Sequence, residues 1–322
     1  MYLARTGVYD GPKLMKPASV LVAEKLRLIN RHKSLYLLMI PGVAFFVIFK
    51  YLPIYGIQLA FREYRLYVPY GKMPWIGFEK FHDLLTAADF WRAFKNTVII
   101  SVLQITFGFP TPVVLAILFS ELRLRKLKRF TQTVLTFPHF LSWVILSGIF
   151  FNLLGNTGVI NNFIAGLGIA KQNFLMNPHS FRALLVGTDI WKEAGWGSII
   201  YLAAIMGVET SQYEAAEIDG ASRFQQVWHV TLPAIMSIVI VMLILRIGNI
   251  VNYSFMQVFM LYSQPVYVVG DVIETYIYRI TFERPPDFSF STAVGVFKGV
   301  INLCMLVGAN TLAKRLGYRG IY

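Results

Sequence analysis

The whole chain holds one cysteine, Cys304, and it lies inside an apolar run. A single thiol excludes a disulfide framework and a cysteine-rich metal site, and its surroundings imply a small buried hydrophobe. Histidine is nearly as scarce. His32, His82, His139, His179 and His229 are scattered, and neither H-E-x-x-H nor G-x-S-x-G occurs, so the means for hydrolysis inside a membrane are missing. Also absent is G-x-x-x-x-G-K-[ST], the loop whose backbone amides cradle phosphates. A chain without it does not handle ATP by itself. Acidic residues are few, with 17 Asp and Glu against 30 Lys and Arg, for a net charge of +13. Such a surplus can mark nucleic-acid binding. Here the cations flank apolar runs and do not line a groove with interleaved aromatics, so membrane orientation explains them and no nucleic acid is expected.

What the chain has in quantity is apolar surface. Of its 322 residues 56% are hydrophobic and the mean hydropathy is +0.56, whereas soluble domains run near ~45–50% apolar. Six apolar runs are long enough to cross a bilayer, which takes about 20 helical residues. They fall at 35–57, 97–120, 131–154, 183–208, 232–251 and 292–313. The fold class expected is therefore all-α integral membrane, with six transmembrane helices over 35–313 between an arm at 1–34 and a tail at 314–322. Pro110 and Pro112 predict a kink in the second span, which membrane helices tolerate when neighbours satisfy the freed carbonyls.

Loop charge orients the spans. The arm carries Arg5, Lys13, Lys16, Lys25, Arg27, Arg31 and Lys33; Arg123, Arg125, Lys126, Lys128 and Arg129 crowd the loop after the second span; Lys314, Arg315 and Arg319 end the chain. All three groups share one side if both termini are cytoplasmic. The arm is not read as a cleavable leader, because the run after it is long and continues as a span; part of it suits an amphipathic surface helix. The run 123–129 lacks the every-third-residue cations of a voltage sensor. The first outer loop mixes six cations with Glu63, Glu79, Asp83 and Asp89.

Charges at membrane depth mark candidate functional positions. In the fifth run Arg246, Asn249, Tyr253 and Gln257 recur at steps of three and four, with Asn252 beside them, which predicts one wet helical stripe. The sixth run offers Lys298 and Asn302. Neither Arg246 nor Lys298 has an acidic neighbour in its own helix, so each either snorkels to an interface or faces a cavity, where two cations would favour an anionic solute. Asp189, Lys192 and Glu193 in the fourth run either neutralise one another by i,i+3 pairing or sit just outside the hydrocarbon, and so read as structural. Gly295 and Gly299 predict close helix packing.

One polar island interrupts the oil, at 209–231. Ser211 with Glu214, and Ser222 with Gln225, each fit a capping box, and Asp219-Gly220 between them predicts a left-handed stop. The pattern reads as helix, bend, helix, with Thr231 expected to cap the next element and Pro233 in its first turn. Glu209, Glu214, Glu217 and Asp219 face a single cation, Arg223. Anionic headgroups would repel such a loop, whereas a groove on a protein partner suits it.

Glu214-Ala215-Ala216, then Asp219-Gly220-Ala221, then Leu232-Pro233 resemble the E-A-A…G…L-P signature of ABC-importer permease subunits. With the L-M-I-P-G opening of the first span (Leu38 to Gly42), the likeness runs along nearly the whole chain. It is nearest the maltose-type carbohydrate permeases, in the branch handling oligosaccharides and polysaccharides, alginate importers among them. The resemblance implies a permease of the bacterial cytoplasmic membrane that forms half of a translocation pathway. Its implied partners are a second permease, two ATPase subunits that bind ATP and Mg, and an extracytoplasmic solute-binding protein. The solute implied is a saccharide, with acidic fragments such as alginate oligosaccharides favoured by Arg246 and Lys298. The residues named from Glu214 to Pro233 become the ATPase-coupling element, and this chain itself carries no cofactor. The rival reading is an ion-coupled secondary transporter. It leaves the acidic island unexplained, and the paired broken repeats common in that class are not evident.

Overall fold

A computed structural model describes residues 31–251, 255–283, 285–318 and 320–321. Most of the proposed arm, together with Asn252, Tyr253 and Arg319, lies outside them. The chain divides into two compact units between Gln58 and Leu59. The first unit carries most of helix α1 (Lys33–Phe61), which is apolar and long enough to span a membrane.

The second unit is built from helices, and among the described residues the only β-type pairing is an isolated antiparallel bridge between Arg62 and Trp75. That bridge closes a hairpin-like loop. Arg62 Nη1 donates to Met73 O at 2.9 Å while its guanidinium lies 5.7 Å from the ring centroids of both Tyr70 and Trp75. α2 (Glu79–Thr86) follows, and its Lys80 reaches Asp287 at 2.8 Å. Burial works against the Lys80 charge, but the hydrogen bond to Asp287 and the fields of Asp287, Asp83 and Glu79 outweigh it, so the pKa is raised. The clip therefore holds below the ordinary lysine range and is released only as pH rises past it.

α3 (Ala88–Glu121) is a long span-length helix that starts nine residues before its apolar run. A π turn, Gln104–Gly108, precedes Pro110, and Phe109 N donates back to Gln104 O at 3.0 Å. The helix absorbs the two prolines by widening one turn. The third expected span is corrected. Residues 131–154 do not form one helix, because α4 (Arg125–Thr136) stops at a 3-10 turn, Phe137–Phe140, around buried Pro138. Proline cannot donate the bond that an uninterrupted helix needs there. The apolar helix begins afresh as α5 (Trp143–Leu154), with Ser142 accepting from Ile145 N at 3.3 Å, and α6 (Val159–Gly166) follows. Buried Asn161 staples this stretch, donating to the carbonyls of Leu154, Gly155 and Gln172 and accepting from Gln172 N.

The expected fourth span is α7 (Pro178–Met206), 29 residues long. Among the described residues five helical stretches are apolar enough as well as long enough to cross a membrane, α5 and α6 together counting as one; α7 has the length but carries Arg182, Asp189, Lys192 and Glu193, each held by a partner within the chain. After α8 (Thr210–Ile218) comes α9 (Arg223–Gly248), which starts earlier and ends sooner than the expected 232–251. α10 (Phe255–Leu261), α11 (Ile273–Tyr278) and α12 (Phe288–Arg315) complete the unit.

Three buried apolar clusters hold these helices. One gathers Phe90, Val251, Ile273, Tyr276 and Val294, a second Ile100, Phe181, Leu185, Val258 and Val272, a third Val113, Phe119, Tyr201, Ile205 and Ile235. α7 packs closely on both α4 and α3. A side chain at Gly195 would come within 2.0 Å of Leu135 O, and one at Gly197 within 3.2 Å of Pro112. Gly295 and Gly299 behave otherwise than expected, since a Cβ at either would meet nothing within 4 Å. Cys304 is likewise exposed, not buried, because this side of α12 is turned away from the rest of the unit.

Candidate functional site

The polar island forms the helix–bend–helix that its spacing implies, with two corrections. α8 is entered from Glu209, whose backbone is extended (φ −63°, ψ 129°) and whose side chain makes no capping bond. Ser211 already lies inside the first turn, so the Ser211–Glu214 box does not form. The stop is as expected. Gly220 has φ +78°, Ala221 N donates to Ala216 O at 2.9 Å and Gly220 N to Glu217 O at 3.0 Å, the two crossed bonds of a Schellman closure. The Ser222–Gln225 capping box is present in both directions.

The second correction concerns Thr231. It caps nothing, since its backbone is helical (φ −63°, ψ −54°) and α9 runs unbroken from Arg223 through a π turn at Val227–Thr231. The Thr231 hydroxyl is buried and lies 2.9 Å from the Tyr213 hydroxyl, which ties α8 to α9. Leu232 packs on the cluster around Val113, and Pro233 follows the π turn, exposed. Glu214, Ala215, Glu217, Asp219 and Gly220 are exposed, and Ala216 and Ala221 half-buried. Arg223 donates to Gln226 Oε1 at 3.4 Å and pairs with none of these acids. Ile218, Phe224 and Trp228 stand out by 87%, 76% and 58%, the last two with rings stacked 6.5 Å apart. The result is an acidic elbow with an apolar tip, fixed to the end of a span-length helix.

At membrane depth α3, α7 and α9 enclose a cavity of about 400 Å³ lined by Gly108, Phe109, Asp189, Glu193, Trp196, Tyr201, Arg246 and Asn249, among others. Arg246 Nη2 donates to Asp189 Oδ2 at 3.3 Å. Lys192 Nζ donates to His139 O at 2.6 Å and lies 3.2 Å from Glu193 Oε1, while His139 Nδ1 and Glu193 Oε2 are 2.7 Å apart. Asp189 thus pairs across to α9 and not with Lys192 as expected. Gly195 and Gly197 let α7 approach its neighbours on either side of Trp196, whose indole stacks on His139 at 4.6 Å and 1°. An aromatic plane beside charged and amide groups can bind a ring that is apolar on one face and hydroxylated at its rim.

The stripe expected along the fifth run is broken. α9 ends at Gly248, and Asn249 (φ −108°) is its C-cap, with Nδ2 donating to Leu245 O at 3.1 Å. Gln257 belongs to α10, buried, and donates to Leu185 O at 2.6 Å and Thr188 Oγ1 at 2.8 Å. Asn302 accepts from Val251 N at 3.3 Å, and Ser101 Oγ donates to Ile250 O at 2.5 Å, so side chains from α12 and α3 satisfy backbone freed by the break. Lys298 forms an ion pair with Glu274 and is not part of the cavity wall. Arg246 and Asn249 therefore share one cavity, whereas Lys298 and Asn302 serve elsewhere. Each of the two cations has a carboxylate partner, so they do not supply the uncompensated positive charge that an anionic preference was read from.

Residues 108–318 match the family described as binding-protein-dependent transport system inner membrane components. The chain belongs to this family. Protein LplB of Bacillus subtilis (strain 168) is 43% identical over 95% of this chain and 98% of its own length. The polygalacturonan/rhamnogalacturonan transport system permease protein YteP of the same organism is also 43% identical, over 91% of each chain. Among solved structures, a bacterial ABC transporter involved in the import of the acidic polysaccharide alginate contains a chain similar to this one with a TM-score of 0.84 and 38% identity, covering 91% of this chain and 99% of that one. The protein is an integral membrane permease of an ABC importer, a transport component and not an enzyme.

Within this permease the sequence pointed to Arg246 and Asn249 but not to Trp196, Tyr201 or Glu193 as their companions. One signal for Trp196 was available. It stands between two glycines in Gly195-Trp196-Gly197, a pattern in which the backbone packs close while one large side chain is left to project. The pair Asp271–Arg279 was missed altogether, because it lies in a stretch that none of the six apolar runs covers.

Proposed function

We propose that this permease forms half of a pathway for acidic oligosaccharides, paired with a second permease, driven by two separate ATPase subunits that bind ATP and Mg, and supplied by an extracytoplasmic binding protein. The observation that carries the reading is the cavity with Trp196, Arg246 and Asn249 on its wall, in a chain similar to one from an alginate importer. A second solved structure, of a bacterial alginate ABC transporter, includes a periplasmic protein holding an alginate pentasaccharide. The polygalacturonan named for YteP is also a polyuronate. The acidic preference rests on these relatives, since Asp189 offsets Arg246. The ion-coupled secondary transporter is set aside by the family membership.

In the reconstituted complex, ATP hydrolysis is expected to be stimulated several-fold more by uronate oligomers with their binding protein than by neutral glucans. Equal stimulation by maltose-like sugars would remove the acidic part of the reading.

Both termini are placed in the cytoplasm, which puts the elbow Thr210–Gln226 on the ATPase side and the hairpin of Arg62 and Trp75 outside. The support is the loop charge, above all the five cations from Arg123 to Arg129. Reporter fusions after Arg125 and after Lys171 are expected to show cytoplasm and exterior respectively. The reverse pattern would invert the assignment.

A further inference from the structure

α4 (Arg125–Thr136) contributes to neither the cavity nor the elbow, and none of its residues is buried. At 100° per residue its cations Arg125, Lys126, Lys128 and Arg129 occupy one side, and Leu127, Phe130 and Val134 the opposite one. Leu124 and Phe137, which flank the helix, are exposed as well, and Phe130 is 66% exposed. The Thr131 and Thr133 hydroxyls bond back to Leu127 O and Arg129 O at 2.9 Å, so they add no free donor to the surface. No acidic residue occurs between Leu122 and Phe137.

Position decides what this surface meets. α3 ends at Glu121, so Arg125 can lie no more than about 14 Å of extended chain from the end of a membrane helix. At its other end Leu135 is locked against Gly195 of α7, where even a methyl group would not fit. The helix therefore runs from the end of α3 inward along α7 to the level of Gly195, so that its basic first turns stand at the headgroup layer and its apolar side continues below them among the acyl carbons.

We propose that α4, with Arg123, is a binding site for anionic phospholipid of the cytoplasmic leaflet. Its cations engage headgroup phosphates, and Leu127, Phe130 and Val134 enter the acyl region. The site rests on the orientation given above only for the choice of leaflet. Each cation near an anionic surface contributes roughly five-fold in affinity at modest salt.

The test uses the complete transporter in detergent, stripped of lipid, offered phosphatidylglycerol and phosphatidylcholine together and weighed by native mass spectrometry. Wild type is expected to retain phosphatidylglycerol preferentially. The variant Arg125→Gln/Lys126→Gln/Arg129→Gln should lose about 100-fold of that preference, and Phe130→Ser should lower retention while leaving the charges in place. Unaltered circular dichroism of both variants excludes misfolding as the cause. Equal retention of the two lipids by wild type, or an unchanged preference in the triple variant, overturns the proposal. Displacement of phosphatidylglycerol by millimolar inorganic phosphate would make this a simple anion site. Loss of the ATPase subunits from the triple variant with its lipid preference intact would make it a protein-docking face. Because the measurement has no sidedness, a fusion after Arg125 that reports the exterior would move the site to the other leaflet without touching these outcomes.

Discussion

Replacing Gly220 by valine is expected to leave the chain inserted in the membrane while cutting ATP-driven uptake and the recovery of the ATPase subunits by about 5- to 30-fold. The reasoning starts from geometry. Gly220 sits at φ +78°, and a Cβ built there would meet nothing within 4 Å. No clash and no lost charge complicates the change; only backbone conformation is at stake. A left-handed residue with a Cβ costs roughly 1–2 kcal/mol, more when it is β-branched, and one or two kcal/mol corresponds to about a 5- to 30-fold shift in an equilibrium. That is too little to unfold the spans but enough to open the bend between α8 and α9. Asparagine tolerates the left-handed region, so Gly220→Asn should transport nearly as wild type. Uptake and ATPase co-purification measured on both variants give the answer. A valine variant that keeps its ATPase and transports normally would make the elbow a passive connector.

Asp271→Asn is expected to have the largest effect on stability. Asp271 is fully buried and accepts from Arg279 Nη1 at 3.1 Å, Arg279 Nη2 at 2.5 Å and Thr275 Oγ1 at 2.8 Å, and Arg92 Nη2 stands 4.0 Å away. The Arg279 guanidinium lies 5.1 Å from the Tyr267 ring centroid and 5.9 Å from that of Tyr276. The asparagine fits the space but leaves a buried guanidinium without its anion, a loss of about 3–5 kcal/mol. Folded yield and melting temperature of the purified chain should both drop. Exchanging both partners for apolar residues, Asp271→Leu with Arg279→Met, should recover much of the loss, since a buried pair replaced whole costs little. If Asp271→Asn melts with the wild type, the pair is not holding this part of the fold.

These two sites also show what can be read from the chain alone. Gly220 was legible because its cause is local: a helix stop needs a residue at positive φ, and Asp219-Gly220 followed by Ser222 and Gln225 spells one out within a few positions. Most apolar runs were legible for the same reason, but 131–154 was not a single helix, because the chain breaks around Pro138. Asp271 and Arg279 were not, for they join a turn to a helix beside α3 in a stretch of only moderate hydropathy. The fifth run shows a subtler failure. Arg246, Asn249 and Gln257 share a face only if the helix continues, and nothing in their spacing reveals that Asn302 of α12 and Ser101 of α3 will support a break. Charge pairing across helices, such as Arg246 with Asp189, is settled by which helices become neighbours, and a single sequence does not list neighbours.

The widened turn at Val227–Thr231 carries a consequence for rotation. A π turn fits one extra residue into one revolution, so everything on its N-terminal side is turned by about 100° relative to a regular α-helix. Phe224 carries that offset relative to the cavity wall, and Tyr213 of α8 meets Thr231, the last residue of the turn. The elbow and the cavity wall are two ends of one shaft, and a single surplus residue sets the angle between them. A helical wheel drawn through α9 as a uniform helix would misplace Phe224 by about 100°. Were torque applied at Trp228, it would reach Arg246 along this one helix with its phase set by the length of that turn and by no individual side chain.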